Sequence, residues 1–183
     1  MKSRIVVHAD ESCLGNGREG SNPGGAAGLI EIAKPEGIAR RDYYLAEPAT
    51  TNNRMAIRSA ILPLELMANG GKRTLELEFV SDSLYLVKGM SEWLRLWRRR
   101  NWKNVKNVEL WQELAELAEP HHIRWKWVRG HDEHAKNEYA NHLAQKAARD
   151  QVSSGGLVES SFLDWLDGQR AKGKYQDYDP DRL

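Results

Sequence analysis

Apolar and polar positions follow two periods along this chain, and the switch between them marks its elements. Ile5–Ala9, Ala26–Ile32 and Arg40–Leu45 are short and rich in β-branched and aromatic residues, and read as strands. Ser12–Gly25, rich in Gly, Asn and Pro, reads as the turn after the first, so the leading strands predict an antiparallel meander. Thr50 or Thr51 is suited to cap a helix running to about Ala68, with Met55, Ile57, Ile61, Leu64 and Leu66 as its apolar stripe. Pro63 predicts a kink or split in that helix, and Asn69-Gly70-Gly71 a stop. Leu75–Ser81 reads as a buried parallel strand, Ser83–Arg100 and Glu109–Ala118 as helices, Ile123–Val128 as a strand and Asn137–Arg149 as a helix. This order predicts an α+β fold: a mixed five-stranded sheet, three strands antiparallel and two parallel, with helices on both faces.

Three of the strand-like segments deliver a polar group at or just past their C-terminal ends: Asp10, Asp82 and His131. In sheets with parallel strands, ligands and chemistry gather there. Aspartates at such places are often only turn or cap residues. Two carboxylates brought together, however, repel each other, and a divalent cation relieves the repulsion.

Bulk properties change this picture little. The 183 residues suit one domain with a sizeable core, and the formal net charge is +1. The distribution of charge says more: Arg95, Arg98, Arg99, Arg100, Lys103 and Lys106 follow one another with no acid between them, and Trp93, Trp97 and Trp102 interleave with them. The single cysteine, Cys13, precludes an internal disulfide and fits a reducing, cytoplasmic setting. The N-terminal apolar stretch is too short for a signal peptide, and no run approaches the roughly 20 apolar residues of a membrane span. The Gly-rich stretch Gly15–Gly28 lacks the strand-to-helix context of a mononucleotide-binding loop. Residues 1–150 read as one domain and 151–183 as a tail, in which Ser160–Ala171 can form a short helix with Phe162, Trp165 and Leu166 on one face, and Lys172–Leu183 has a disordered composition.

Six short motifs, in order, carry a family resemblance: Asp10-Glu-Ser-Cys-Leu-Gly-Asn16, Thr50-Thr-Asn-Asn-Arg-Met55, Ser81-Asp-Ser83, Val105-Lys-Asn-Val-Glu-Leu-Trp111, Trp125-Lys-Trp-Val-Arg-Gly-His131 and Asn137-Glu138. Between about Arg4 and Ala148 the chain resembles bacterial type 1 ribonuclease H. The resemblance implies the ribonuclease H-like fold and an endonuclease that cuts the RNA strand of RNA–DNA hybrids with two Mg²⁺ or Mn²⁺ ions, the family's acidic pattern being Asp, Glu, Asp, Asp. Two ions on such a cluster activate a water and stabilise the leaving oxygen, Asp10 being the natural bridging ligand.

At the matching positions this chain has Asp10, Ala56, Asp82 and Asn141. Ala56 removes a carboxylate, and Glu65, nine positions on, lies about 13 Å away along a helix. With no replacement evident, impaired or absent cleavage is expected, and alanine introduced to silence the site is favoured over a natural loss. The alternative is a non-catalytic protein that binds hybrids on the same fold. Asn141 keeps an oxygen but no charge, and Glu138, one turn earlier, is the nearest supplementary carboxylate.

The resemblance assigns His131 to proton shuttling, with His134 as the local alternative. It places Cys13, Asn16, Thr51, Asn52 and Asn53 in the minor groove of the hybrid, and gives Trp93, Arg98, Arg99, Arg100 and Trp102 the role of a basic protrusion gripping the DNA strand. After Trp102-Lys103 that protrusion is shorter than is common in the family. The implied partner is the hybrid alone, bound by a monomer without a membrane or an obligate protein partner.

Overall fold

The computed structural model describes residues 4–15, 17–18, 22–68, 74–130 and 134–183. The strands are β1 (Ile5–Cys13), β2 (Gly24–Lys34), β3 (Gly37–Glu47), β4 (Glu76–Ser81), β5 (His122–Trp127) and β6 (Val158–Glu159). The helices are α1 (Asn52–Ala68), α2 (Leu84–Lys88), α3 (Leu94–Arg99), α4 (Val108–Ala118), α5 (Ala135–Asp150) and α6 (Phe162–Arg170), with a π-helical segment, Gly89–Trp93, joining α2 to α3.

One mixed sheet runs β5-β4-β1-β2-β3-β6. β1 pairs antiparallel with β2 and parallel with β4, and β4 pairs parallel with β5. The sheet is therefore the expected mixed sheet with one strand added. The two-residue β6 pairs with the edge of β3, Asp42 opposite Val158. β1 is also longer than its apolar run: the ladder with β2 continues through Glu11 opposite Ala26 to Cys13 opposite Gly24. α1 runs through Pro63 as a single helix, and the Thr51 hydroxyl accepts the Arg54 N–H at its start.

Side chains alternate across a strand, so Ile5, Val7, Ala9 and Glu11 share one face of β1, and Val6, His8, Asp10 and Ser12 the other. Val7 and Ala9 pack into a core with Ala56, Ile57, Ala60 and Leu64 of α1. That core continues into an aromatic group around Trp97, whose ring centroid lies 4.9 Å from Trp111 and 6.1 Å from Trp102. The π-helical segment begins at Gly89, where a Cβ would fall 2.1 Å from the Trp111 indole. On the opposite face α5 crosses β1 and β2 so closely that a Cβ at Gly25 would sit 2.2 Å from the Ala144 carbonyl oxygen.

The C-terminal segment packs on the α5 side. Phe162 and Leu166 of α6 are fully buried with Leu29, Ala135 and Tyr139. Beyond α6, Arg40 donates to the Pro180 carbonyl at 2.7 Å and to Asp181 at 2.8 Å, and Lys136 donates to the Arg182 carbonyl at 2.8 Å. Both cations also grip the fully buried Glu31, Lys136 at 2.7 Å and Arg40 at 2.8 Å. An isolated buried carboxylate is costly, so these two cations are what make Glu31 tolerable.

Deleting residues 153–183 is expected to lower the thermal midpoint by roughly 10 °C, because burial of two large apolar side chains is lost at about 1.5–3 kcal/mol each. A thermal melt of the truncated protein checks this, and an unchanged midpoint would mean that the segment adds nothing to the domain.

Candidate active site

The acidic cluster forms where β1 and β4 run side by side. Their parallel register sets Ala9 beside Ser81, so the next residues, Asp10 and Asp82, emerge at one end of the sheet. Ligand oxygens of Asp10, Glu11 and Asp82 all lie within 4.8 Å of one another. They line a cleft of about 400 Å³ whose walls include Asn52 at the start of α1, and Asn141 and Gln145 on α5. Cys13 borders the same cleft, its thiol donating to the carbonyl of Thr50 at 3.5 Å. Burial raises the Cys13 pKa, which leaves it a packing and contact group rather than a thiolate.

The electrostatics are those of crowded, desolvated carboxylates. Burial first, and then the charges of Glu11 and Asp82, push Asp10 up to about 9. Burial and Asp82 push Glu11 up to about 8. Asp10 accepts one backbone hydrogen bond, from the Glu11 N–H at 2.8 Å, which only partly offsets this. Glu11 Oε2 is buried and has no hydrogen-bond partner among the described residues. Such an oxygen is costly without a proton or a cation, so the donor set fits a hard divalent ion. Asp82 is crowded from a further side: a Cβ at Gly130 would fall 2.6 Å from Asp82 Oδ2, so only glycine leaves the carboxylate its place.

The expected residues divide. Asp10, Asp82 and Asn141 come together, with Asn52 and Cys13 beside them. Thr51 and Asn53 are exposed next to Asn52. Asn16 and His131 lie outside the described residues. Glu138 faces elsewhere: it lines a groove with Gly173–Tyr178 of the C-terminal segment and is not in the cleft. A step of three residues rotates a helix position by about 60°, enough to carry Glu138 from the sheet end to the docked tail. Trp93 and Trp102 are half-buried, each about 6 Å from the Trp97 ring, and serve first as packing groups. Arg98, Arg99 and Arg100 are exposed, Arg98 pairing with Glu119 at 2.6 Å.

Ala56 is fully buried in the α1 core rather than open to the cleft. Glu11 is the carboxylate that sequence reasoning passed over. It shares the α1-facing side of β1 with Val7 and Ala9, and so approaches Asp10 and Asp82 from the side on which Ala56 lies. The available signal was its adjacency to Asp10.

The RNase H family model matches residues 2–149. The chain belongs to the RNase H family. It is 43% identical over 147 residues to the ribonuclease H of Sulfurovum sp., covering 80% of this chain and 92% of that protein. To the ribonuclease H of Thiobacillus denitrificans it is 44% identical over 148 residues, covering 78% and 91%. Among solved structures, LC9-RNase H1, described as a type 1 RNase H with the type 2 active-site motif, is 46% identical with a TM-score of 0.87, over 95% of this chain and 86% of that one. The foamy virus RNase H domain, 18% identical with a TM-score of 0.67 over 82% of this chain and 97% of that one, shares the fold. This RNase H is thus an endoribonuclease by family. No helix among the described residues is long and apolar enough to cross a membrane.

In the metal-free protein the cluster works against folding as pH rises. Folded-state values raised to about 9 and about 8 mean that the folded protein keeps protons the unfolded chain has lost. Stability from this source is therefore greatest below pH 4 and falls on the way to pH 9. Asp10→Asn is expected to raise the metal-free melting temperature at pH 8 by a few degrees and to leave it nearly unchanged at pH 4. Thermal melts in chelator at both values test this, and a destabilised Asp10→Asn at pH 8 would contradict the assigned repulsion.

Proposed function

We propose that this RNase H hydrolyses the RNA strand of RNA–DNA hybrids with divalent cations, Mg²⁺ or Mn²⁺, held by Asp10, Glu11 and Asp82. The observation that carries the reading is the convergence of these three carboxylates, with Glu11 supplying the charge that Ala56 cannot. The likeness to LC9-RNase H1, described as a type 1 RNase H with the type 2 active-site motif, supports a site that departs from the usual type 1 pattern. Counting ligands at positions 10, 56, 82 and 141 alone predicts an impaired enzyme or a non-catalytic hybrid binder. Counting Glu11 restores three carboxylates, and cleavage is expected.

When bound, such cations activate water and stabilise the leaving oxygen. The chain's own residues prepare the site for them. Asp10 and Glu11 sit on a strand fixed by its ladder to β2, and Asp82 follows directly on β4. Asn141 adds a neutral oxygen from α5, which lowers the negative charge of the set relative to a fourth carboxylate. Asn52 borders the cleft and Thr51 and Asn53 stand exposed beside it, positions suited to a ribose hydroxyl and a phosphate. His131, next to the Gly130 that crowds Asp82, acts as the proton shuttle, and the protein works as a monomer.

Glu11→Gln is expected to reduce hybrid cleavage by about 100-fold or more while hybrid binding persists, the scale of losing one fixed electrostatic group in an active site. Ala56→Glu in the native background is expected to destabilise the fold, since position 56 is fully buried. Rates on labelled hybrid in Mg²⁺ and Mn²⁺ decide the matter: a fully active Glu11→Gln returns the site to Asp10, Asp82 and Asn141 alone.

Neutralising Arg98, Arg99 and Arg100 together should weaken hybrid affinity and make the log–log salt dependence shallower by roughly 0.7–0.9 per lost phosphate contact. An unaltered slope in a filter-binding titration would leave these residues as a solvated helix face.

A further inference from the structure

The three carboxylates of the acidic cluster are not held alike. Asp10 and Glu11 belong to the ladder of β1 with β2, opposite Ala27 and Ala26. Asp82 lies one residue past β4: the pairings of β4 with β1 and with β5 both end at Ser81, opposite Ala9 and Trp127. Repulsion from Asp10 and Glu11 therefore acts on a carboxylate whose backbone has already left the sheet.

The end of β5 and the turn after it meet Asp82 there. The Trp127 indole Nε1–H donates to the Asp82 main-chain carbonyl at 3.0 Å. Next to it the Val128 N–H donates to the Ser81 carbonyl at 3.0 Å, and Gly130 closes on the Asp82 carboxylate. On the helix side Ser83 caps α2 by accepting the Leu86 N–H at 3.2 Å. The Trp127 ring is poorly placed to serve by packing alone. Ile123, Trp125 and Trp127 share one face of β5. Ile123 and Trp125 pack against the core, the Trp125 ring centroid 5.0 Å from that of Phe79. Trp127 lies beyond them and is 46% exposed. An indole left so far in water gains less from burial than its neighbours, whereas its N–H holds a metal-cluster residue.

We propose that Trp127 is a positioning residue: its indole N–H fixes the Asp82 main chain and so keeps the Asp82 carboxylate close enough to Asp10 and Glu11 to share a divalent cation. The proposal rests on the assignment of Asp10, Glu11 and Asp82 as ligands of that cation.

The test measures Mn²⁺ binding to the hybrid-free full chain by calorimetry, beside kcat and KM on labelled hybrid. It compares wild type, Asp82→Asn, Trp127→Phe and a protein carrying benzothienylalanine at position 127, where sulfur replaces the N–H in a ring of the same shape. Loss of the donor should weaken Mn²⁺ binding about three- to tenfold, the scale of one neutral hydrogen bond. At limiting Mn²⁺ kcat should fall in step and recover in excess Mn²⁺, with KM for the hybrid unchanged. A packing role alone would lower the melting temperature of Trp127→Phe and leave the benzothienylalanine protein binding Mn²⁺ as wild type does. That result overturns the proposal, and the benzothienylalanine protein decides the matter if Trp127→Phe fails to fold. Asp82→Asn separates the two readings. If it too binds Mn²⁺ as wild type does, the ligand assignment falls; if it loses binding while both position 127 proteins keep it, only the role of Trp127 falls.

Discussion

Mutual repulsion among Asp10, Glu11 and Asp82 is the constraint that the rest of the structure has to meet. Three carboxylates within 4.8 Å, with Asp10 buried and one oxygen of Glu11 out of water, push the chain apart unless protons or a cation intervene. The covalent frame holding them is stiff. β1 is laddered on both edges up to Ala9, and β2 carries it on to Cys13. Small residues along Gly24–Gly28 let α1 and α5 press against the two faces of the same strands, so the apolar cores reach almost to the acidic end. Gly130 then meets Asp82 so closely that a side chain there would displace the carboxylate.

Much of this was legible in the sequence, for reasons that differ by residue. Asp10 and Asp82 were visible because each ends a run of apolar residues, and parallel pairing brings such ends together. Asn141 was found through its place in a motif. Glu11 was missed because the apolar pattern stops at Ala9, and Ser12–Gly25 has the composition of a turn. In fact the ladder continues to Cys13, since Gly24, Gly25 and Ala26 are small enough to lie beneath helices that a richer sequence would push away. The tryptophans interleaved with arginines suggested a nucleic-acid grip. Their rings cluster around Trp97 and Trp111, with Trp93 and Trp102 half-buried, while the arginines and lysines of the run stay in water.

The C-terminal segment shows why composition misleads when polar groups find specific partners. Lys172–Leu183 is polar and reads as disordered, yet Pro180, Asp181 and Arg182 complete the hydrogen bonds of Arg40 and Lys136 around the buried Glu31. Nothing local in Pro180–Arg182 announces this, because the charge that calls for them lies on β2, far back in the sequence. The position of Glu138 has the same origin: its direction makes sense only once the segment it faces has been placed.

Glu11 also alters the order in which a functional centre can assemble. With position 56 as a ligand, the centre would need α1 docked in register on the sheet before its charges were complete. With Glu11, two of the three carboxylates are one peptide bond apart and arrive together. Only the pairing of β1 with β4, a contact across about 70 residues of chain, must then form to gather all three. Loosening of α1 from the sheet, which would scatter a helix-borne ligand, leaves Asp10 and Glu11 side by side. On that assignment the helix is freed to answer to the shape of the bound nucleic acid, while the charges answer to the strands.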